Sequence, residues 1–343
     1  MTHTCVCIAV VLAGTGAFGP APLPVAAQSG AGQASIEERL TRVRADLFSR
    51  AEHLTEDIQE LKAILAVDPR SAEAHLLLGI GYRTLGTAEL MGEAVAELRQ
   101  ALELNPDFVP ARFYLARMYL DLGRATRARE ELEAGLVRVP DNPQFLALLG
   151  EAERQLKKPG RSVELIRQAL RADESFAEAR YYLGLALFDL GRRDEAIREL
   201  EQVVQSGPRM ADAYLNLGIA YLEAGRFDKA LQTLSQGTGI DPSRPDVRIQ
   251  LARAYRSKGL LGKADEQLTR AMPRVTASLA SPFAQHQQLE FDFYLEQGFL
   301  RLQQGRLDAA GKALRKALAI DPSDERTKPL QDRLRARQAG DRR

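Results

Sequence analysis

Tryptophan is absent from this 343-residue sequence, cysteine occurs twice and histidine four times. Each scarcity excludes a class of chemistry. Cys5 and Cys7 sit together in an apolar amino-terminal run, where they read as filler rather than as a disulfide framework. His53, His75 and His286 are scattered, without HExxH spacing or a cysteine partner. Neither a metal nor a cofactor is expected. An excess of one charge is missing as well: 47 Lys and Arg face 46 Asp and Glu, for a formal net charge of +1. No whole-molecule field draws the chain to nucleic acid, which is not an expected partner. Long apolar runs are missing too. CVCIAVVLAG is soon followed by Pro20, Pro22 and Pro24, short of the about 20 apolar residues that cross a bilayer.

The first 27 residues nonetheless have a distinct composition, with no Asp, Glu, Lys or Arg. The apolar run has the length of a signal h-region, and Val25-Ala26-Ala27 before Gln28 suits a signal peptidase. Residues 1–27 are therefore expected to be a signal peptide and the protein to be periplasmic or secreted. The only positive charge of the n-region is the amino terminus, so a leader retained in the cytoplasm stays the alternative. Residues 28–35 form a Gly/Ala/Ser/Gln linker.

What the chain has in quantity is repetition. From Ala177 to Met210 it reads as two short helices folded across a glycine turn. Leu183, Gly184, Leu187 and Leu190 lie on one face of the first. Gly191 breaks that helix, and Ala196, Leu200 and Val203 continue the stripe to Gly207-Pro208. Sliding by 34 residues brings small residues into register. Gly184 aligns with Gly79, Ala116, Gly150, Gly218, Ala252 and Gly298, and Ala196 with Ala94, Ala128, Ser162, Ala230, Ala264 and Ala310. Small side chains are needed where helix backbones approach closely.

This pattern resembles the tetratricopeptide repeat family. The unit AYLNLGIAYLEAGRFDKALQTLSQGTGIDP, Ala213 to Pro242, is similar to the family pattern throughout. The resemblance implies an all-α, right-handed α-solenoid of antiparallel helix pairs. Seven units are expected over 72–324: 72–108, 109–142, 143–176, 177–210, 211–244, 245–278 and 291–324. A degenerate helical hairpin at 36–71 should cap one end, with Ser35 and Glu38 as a capping box. A basic helix and tail at 325–343, carrying seven basic and three acidic residues, should close the other. Lys157 stands in the third unit where the others have a turn glycine. Three extra residues between Gly86 and Ala94 should bulge the first unit's turn. An interruption near 279–290 should extend the last unit's first helix by two to three turns, with Phe283, Phe291, Phe293 and Tyr294 on the extension. Those rings either close the core or meet a partner, and self-association through them is one reading.

No catalytic constellation is present. Gly259-Leu-Leu-Gly-Lys263 has part of a phosphate-loop pattern but lacks its spacing and follows a helix, not a strand. The chain is expected not to be an enzyme. What remains is a surface on the first helices, where i, i+4, i+7 spacing gathers Tyr181, Leu185 and Phe188, then Leu215, Ile219 and Leu222, with Asn216 nearby. In the family this face lines a groove that holds peptides. The equivalent positions hold Phe113 and Arg117 in the second unit, Arg154 in the third, and Arg253 and Arg256 in the sixth. The expectation is an apolar centre with arginines at both ends, binding a peptide or amphipathic helix of another protein in a bacterial cell envelope. Some of these apolar side chains can equally be packing between units. A carbohydrate-polymer export factor, stacking sugars on the same rings, is the alternative function.

Overall fold

A computed structural model describes residues 34–49, 53–206, 210–277 and 284–340. The leader expected over 1–27, the linker up to residue 33, Gly207-Pro208 and residues Ser281 to Phe283 lie outside the described residues. The chain divides into two compact units, Met1–Leu190 and Gly191–Arg343. The first holds α1 (Ile36–Ser49), α2 (Leu54–Val67), α3 (Ala72–Leu85), α4 (Ala88–Leu104) and α5 (Val109–Asp121). It continues with α6 (Ala125–Arg138), α7 (Pro143–Gln155), α8 (Pro159–Ala172) and α9 (Ala177–Asp189). The second holds α10 (Arg193–Ser206), α11 (Ala211–Glu223), α12 (Phe227–Ile240) and α13 (Pro245–Ser257). It closes with α14 (Leu261–Ala277), α15 (Ala284–Gln303), α16 (Leu307–Ile320) and α17 (Lys328–Gly340). Among the described residues there is no strand, and the fold is the all-α solenoid of antiparallel helix pairs.

Local chemistry explains the punctuation. Gly86, Gly123, Gly191, Gly225, Gly259 and Gly305 all adopt a left-handed φ between 67° and 75°, which costs glycine nothing. Lys157 adopts the same conformation at φ 62°, so the third turn keeps its shape without glycine. There the Lys158 amide donates to the Glu153 carbonyl at 2.9 Å, as the Arg124 amide does to Tyr119 at 2.7 Å. At the other end of the pairs the Asp173, Asp241 and Asp321 side chains accept the amides of Ser175, Ser243 and Ser323. Each of these aspartates thereby turns the chain into the next first helix.

Packing follows the small columns. Ala94, Ala128, Ser162, Ala230, Ala264 and Ala310 are fully buried, where helices of one pair cross. A Cβ on Gly150 would lie 2.4 Å from Ile166, and one on Gly218 would lie 2.5 Å from Leu234. In the first unit α3 touches α5, α5 touches α7 and α7 touches α9; in the second α11 touches α13 and α13 touches α15. Second helices make no comparable contact with one another among the described residues. First helices therefore lie on the inside of each unit's curve.

One expectation is corrected and one alternative is decided. The first unit's turn does not bulge: α4 starts right after Gly86-Thr87 and runs 17 residues where α6 runs 14. The extra residues lie within Ala88-Glu89-Leu90-Met91, good helix formers that lengthen the helix instead of the loop. Of the two readings of the extended helix's rings, core closure is the one that its described aromatic residues follow. α15 is indeed 20 residues long against 13 for α13. Phe291 and Phe293 are nonetheless buried, Phe293 in a core with Ile249, Leu268 and Leu300, and Tyr294 packs against that core. At the carboxyl end Leu330 and Leu334 of α17 pack with Leu302, Ala310 and Leu314.

Candidate binding face

In the first unit the face is built on α5, α7 and α9. Phe113 leaves it: the ring is 4% exposed and packs edge-on to Tyr114 and against Phe145, with centroids 5.4 and 5.5 Å away. This corrects its placement in the groove. Gly135 makes the burial feasible, since any Cβ there would sit 2.1 Å from the Phe145 ring. Arg117 of α5 reaches α9, where its Nη2 donates to Glu178 Oε1 at 2.8 Å. The intervening helix α7 carries only Ala147 at the matching position. Tyr182 donates its hydroxyl to the same Glu178 oxygen at 2.9 Å. Burial, with the Glu178 carboxylate close by, holds the phenol well above its usual range, so it stays protonated.

Arg154 of α7 is held equally firmly. Its Nε and Nη2 donate to both oxygens of buried Glu151 at 2.7 and 2.8 Å, and its Nη1 to Asp189 of α9 at 2.9 Å. Beside this network Tyr181, Leu185 and Phe188 are half-buried along one line of α9. The buried core of that helix comes from Ala179, Leu183, Ala186 and Leu187. Tyr181 lies tilted against Tyr182, centroids 5.7 Å apart.

In the second unit Leu215, Asn216 and Ile219 of α11 are half-buried, and Asn216 donates to the Asp212 carbonyl at 2.9 Å. Leu222 is 7% exposed and also leaves the open face, because it packs inward. Arg253 of α13 is exposed and has no ion pair among the described residues. Arg256 donates to both carboxylate oxygens of Glu296 on α15, with its guanidinium 5.1 Å from the Phe299 ring. Glu296 is buried, and desolvation raises its pKa even against the pull of Arg256.

The arginines expected to await a partner are thus largely neutralised from within. Arg117, Arg154 and Arg256 each have a carboxylate on another first helix. Glu178, Tyr182, Asp189 and Glu296 were missed by the sequence reading. A signal existed: Arg83–Asp121, Arg154–Asp189 and Arg256–Glu296 are 38, 35 and 40 residues apart, slightly more than one repeat. Among the described residues no three His, Cys, Asp or Glu side chains gather as a metal would need, and no helix is long and apolar enough to cross a membrane.

Family models of the tetratricopeptide repeat match residues 88–152, 147–197, 183–245 and 291–324. The chain belongs to the tetratricopeptide repeat family. Such repeats generally build non-catalytic scaffolds that bind other proteins, and this tetratricopeptide repeat protein is a protein–protein interaction scaffold by fold. No curated protein matches the chain. Solved structures do. PilW, described as a widely conserved type IV pilus biogenesis factor, is 23% identical with a TM-score of 0.54, covering 65% of this chain and 98% of PilW. Pseudomonas aeruginosa pilF is 19% identical with a TM-score of 0.52, over 65% of this chain and 96% of its own. The human IFIT1 dimer with a capped RNA is 18% identical with a TM-score of 0.62, over 85% of this chain and 73% of its own. At these identities the likeness is one of fold.

Proposed function

We propose that this tetratricopeptide repeat protein is a non-catalytic scaffold that holds a peptide or amphipathic helix of a partner protein against its first-helix face. The observation that carries this is the half-exposed line Tyr181, Leu185 and Phe188 on α9, on a helix whose core is filled by other residues. A partner helix supplies apolar side chains to that line and polar ones to the flanking Arg117–Glu178 and Arg154–Asp189 pairs. The internal pairing of the arginines favours a partner without strong charge at this place.

Phe188→Ala separates binding from packing. As a binding residue it loses about 2 kcal/mol or more of partner affinity with little change in melting temperature. A loss of about 3–5 kcal/mol in stability instead makes Phe188 a packing residue and removes the site. The partner for this assay is captured by pull-down from native envelope extracts.

The leader composition and the similarity of fold to pilus biogenesis factors support export to the cell envelope. Mass spectrometry of the protein from its native cells should then find an amino terminus at or near Gln28. An intact Met1 in the cytoplasmic fraction removes the envelope setting.

A further inference from the structure

In the second unit neighbouring inter-helix turns are tied together by an aspartate in the first turn of the second helix. Asp194 accepts from Arg226 at 2.7 Å, and one period later Asp228 accepts from Lys258 at 2.6 Å. The open cleft between the turns at 225–229 and 257–258 therefore contains its own carboxylate. The same architecture in the first unit lacks it. Two periods before Asp194 stands Thr126, and one period before it stands Gly160.

The result is a cleft of about 570 Å³ between Gly123–Arg127 and Arg154–Lys157 whose lining contains four cations and no carboxylate. Arg154 is already held by Glu151 and Asp189. Arg124 and Lys157 are exposed and have no ion pair among the described residues. Arg127 lies 5.9 Å over the Tyr119 ring and likewise has no carboxylate. Three like charges converge here with no carboxylate in the lining. Lys157 moreover occupies a left-handed turn position at which the other turns have glycine. A lysine there is disfavoured locally.

We infer that this cleft is a second docking site, separate from the first-helix face, that takes an acidic peptide segment of a partner protein. The chain itself supplies the template: in the corresponding cleft at 225–229 and 257–258 the group that meets the cation is the Asp228 carboxylate. The partner's Glu or Asp side chains take the place that Asp194 and Asp228 occupy in the second unit, paired to Arg124, Arg127 and Lys157. No aromatic side chain lines the cleft to stack a base or a sugar.

The test uses the full chain and a fluorescein-labelled octaglutamate peptide, with octaglutamine and an octathymidylate as controls. Octaglutamate should bind in low salt, weaken steeply as salt rises, and outcompete both controls. Arg124→Gln and Lys157→Gly should each weaken it about fivefold, the scale of one exposed charge pair. Thr126→Asp, which writes the bridging carboxylate back in, should weaken it at least as much. Lys157→Gly restores the residue used by the other turns and should melt at or above the wild-type temperature, so its loss of binding is not a loss of folding. Failure of octaglutamate to bind the wild type, undiminished binding by Thr126→Asp, or equal binding of octathymidylate overturns the proposal.

Discussion

Arg117 and Glu178 meet at 2.8 Å although 61 residues and a complete helix pair separate them in sequence. Their side chains are only 14% and 13% exposed. The pair joins α5 to α9 over the small Ala147, so it is a strut between first helices that are not neighbours in the stack. Removing either partner should leave the other charge poorly solvated. Arg117→Ala and Glu178→Ala are each expected to cost about 1.5–3 kcal/mol, the worth of a charge-assisted hydrogen bond. The double mutant should cost clearly less than the sum. Chemical denaturation of the four proteins gives the coupling directly, and additive losses would mean that the strut carries no energy.

The glycine columns give a sharper contrast. Gly150 faces Ile166 at a distance that no Cβ tolerates, and a Cβ there would also lie 3.2 Å from the Ser162 carbonyl of the same helix as Ile166. Gly150→Leu should destabilise by about 1–3 kcal/mol through overpacking. Gly184 belongs to the same column and is buried, and the same change is expected to be harmful there. Gly92 of α4, exposed with nothing within 4 Å of a built Cβ, is the control. Gly92→Ala should stabilise by about 0.5–1 kcal/mol, because alanine loses less backbone freedom in a helix. Melting curves that rank Gly150→Leu level with Gly92→Ala would contradict the close crossing.

A pH dependence should originate at the amino-terminal hairpin. Asp57 of α2 is buried, and its Oδ2 has no hydrogen-bond partner. Desolvation, reinforced by Asp46 and Glu56 and opposed by His53 and Arg42, pushes its pKa up from 3.8 to about 6. A carboxyl whose folded pKa lies above its unfolded value contributes stability that is complete below about pH 4 and disappears as pH rises through about 6. Asp57→Asn should therefore be more stable than wild type at pH 7 and should lose that advantage near pH 4. Equal stabilities at pH 7 would show that the carboxylate is solvated.

How much of this was written in the sequence depends on how local each feature is. The helix pairs, the turn glycines and the alanine columns were legible because each is fixed by neighbours a few residues away and then repeated at 34. Lys157 could be placed in its turn by the same register, although its left-handed φ and its share in an uncompensated basic cleft could not. The corrected residues depend on longer range. Phe113 and Leu222 share the i, i+4, i+7 pattern of Tyr181 and Ile219, yet they are buried while the latter are half-open. Periodicity assigns a helix face, but the packing of the next pair decides whether that face is covered.

The same holds for charge. The balance of 47 basic and 46 acidic residues was visible from composition. Which arginines are spent was not visible. Arg117, Arg154 and Arg256 find carboxylates on other first helices, while Arg124 and Lys157 find none among the described residues. A period of 34 residues determines that helices stack, because each hairpin alone leaves an apolar face in water. The tilt and spacing of that stack, which only tertiary packing decides, set which side chains two and four helices apart come within hydrogen-bonding distance.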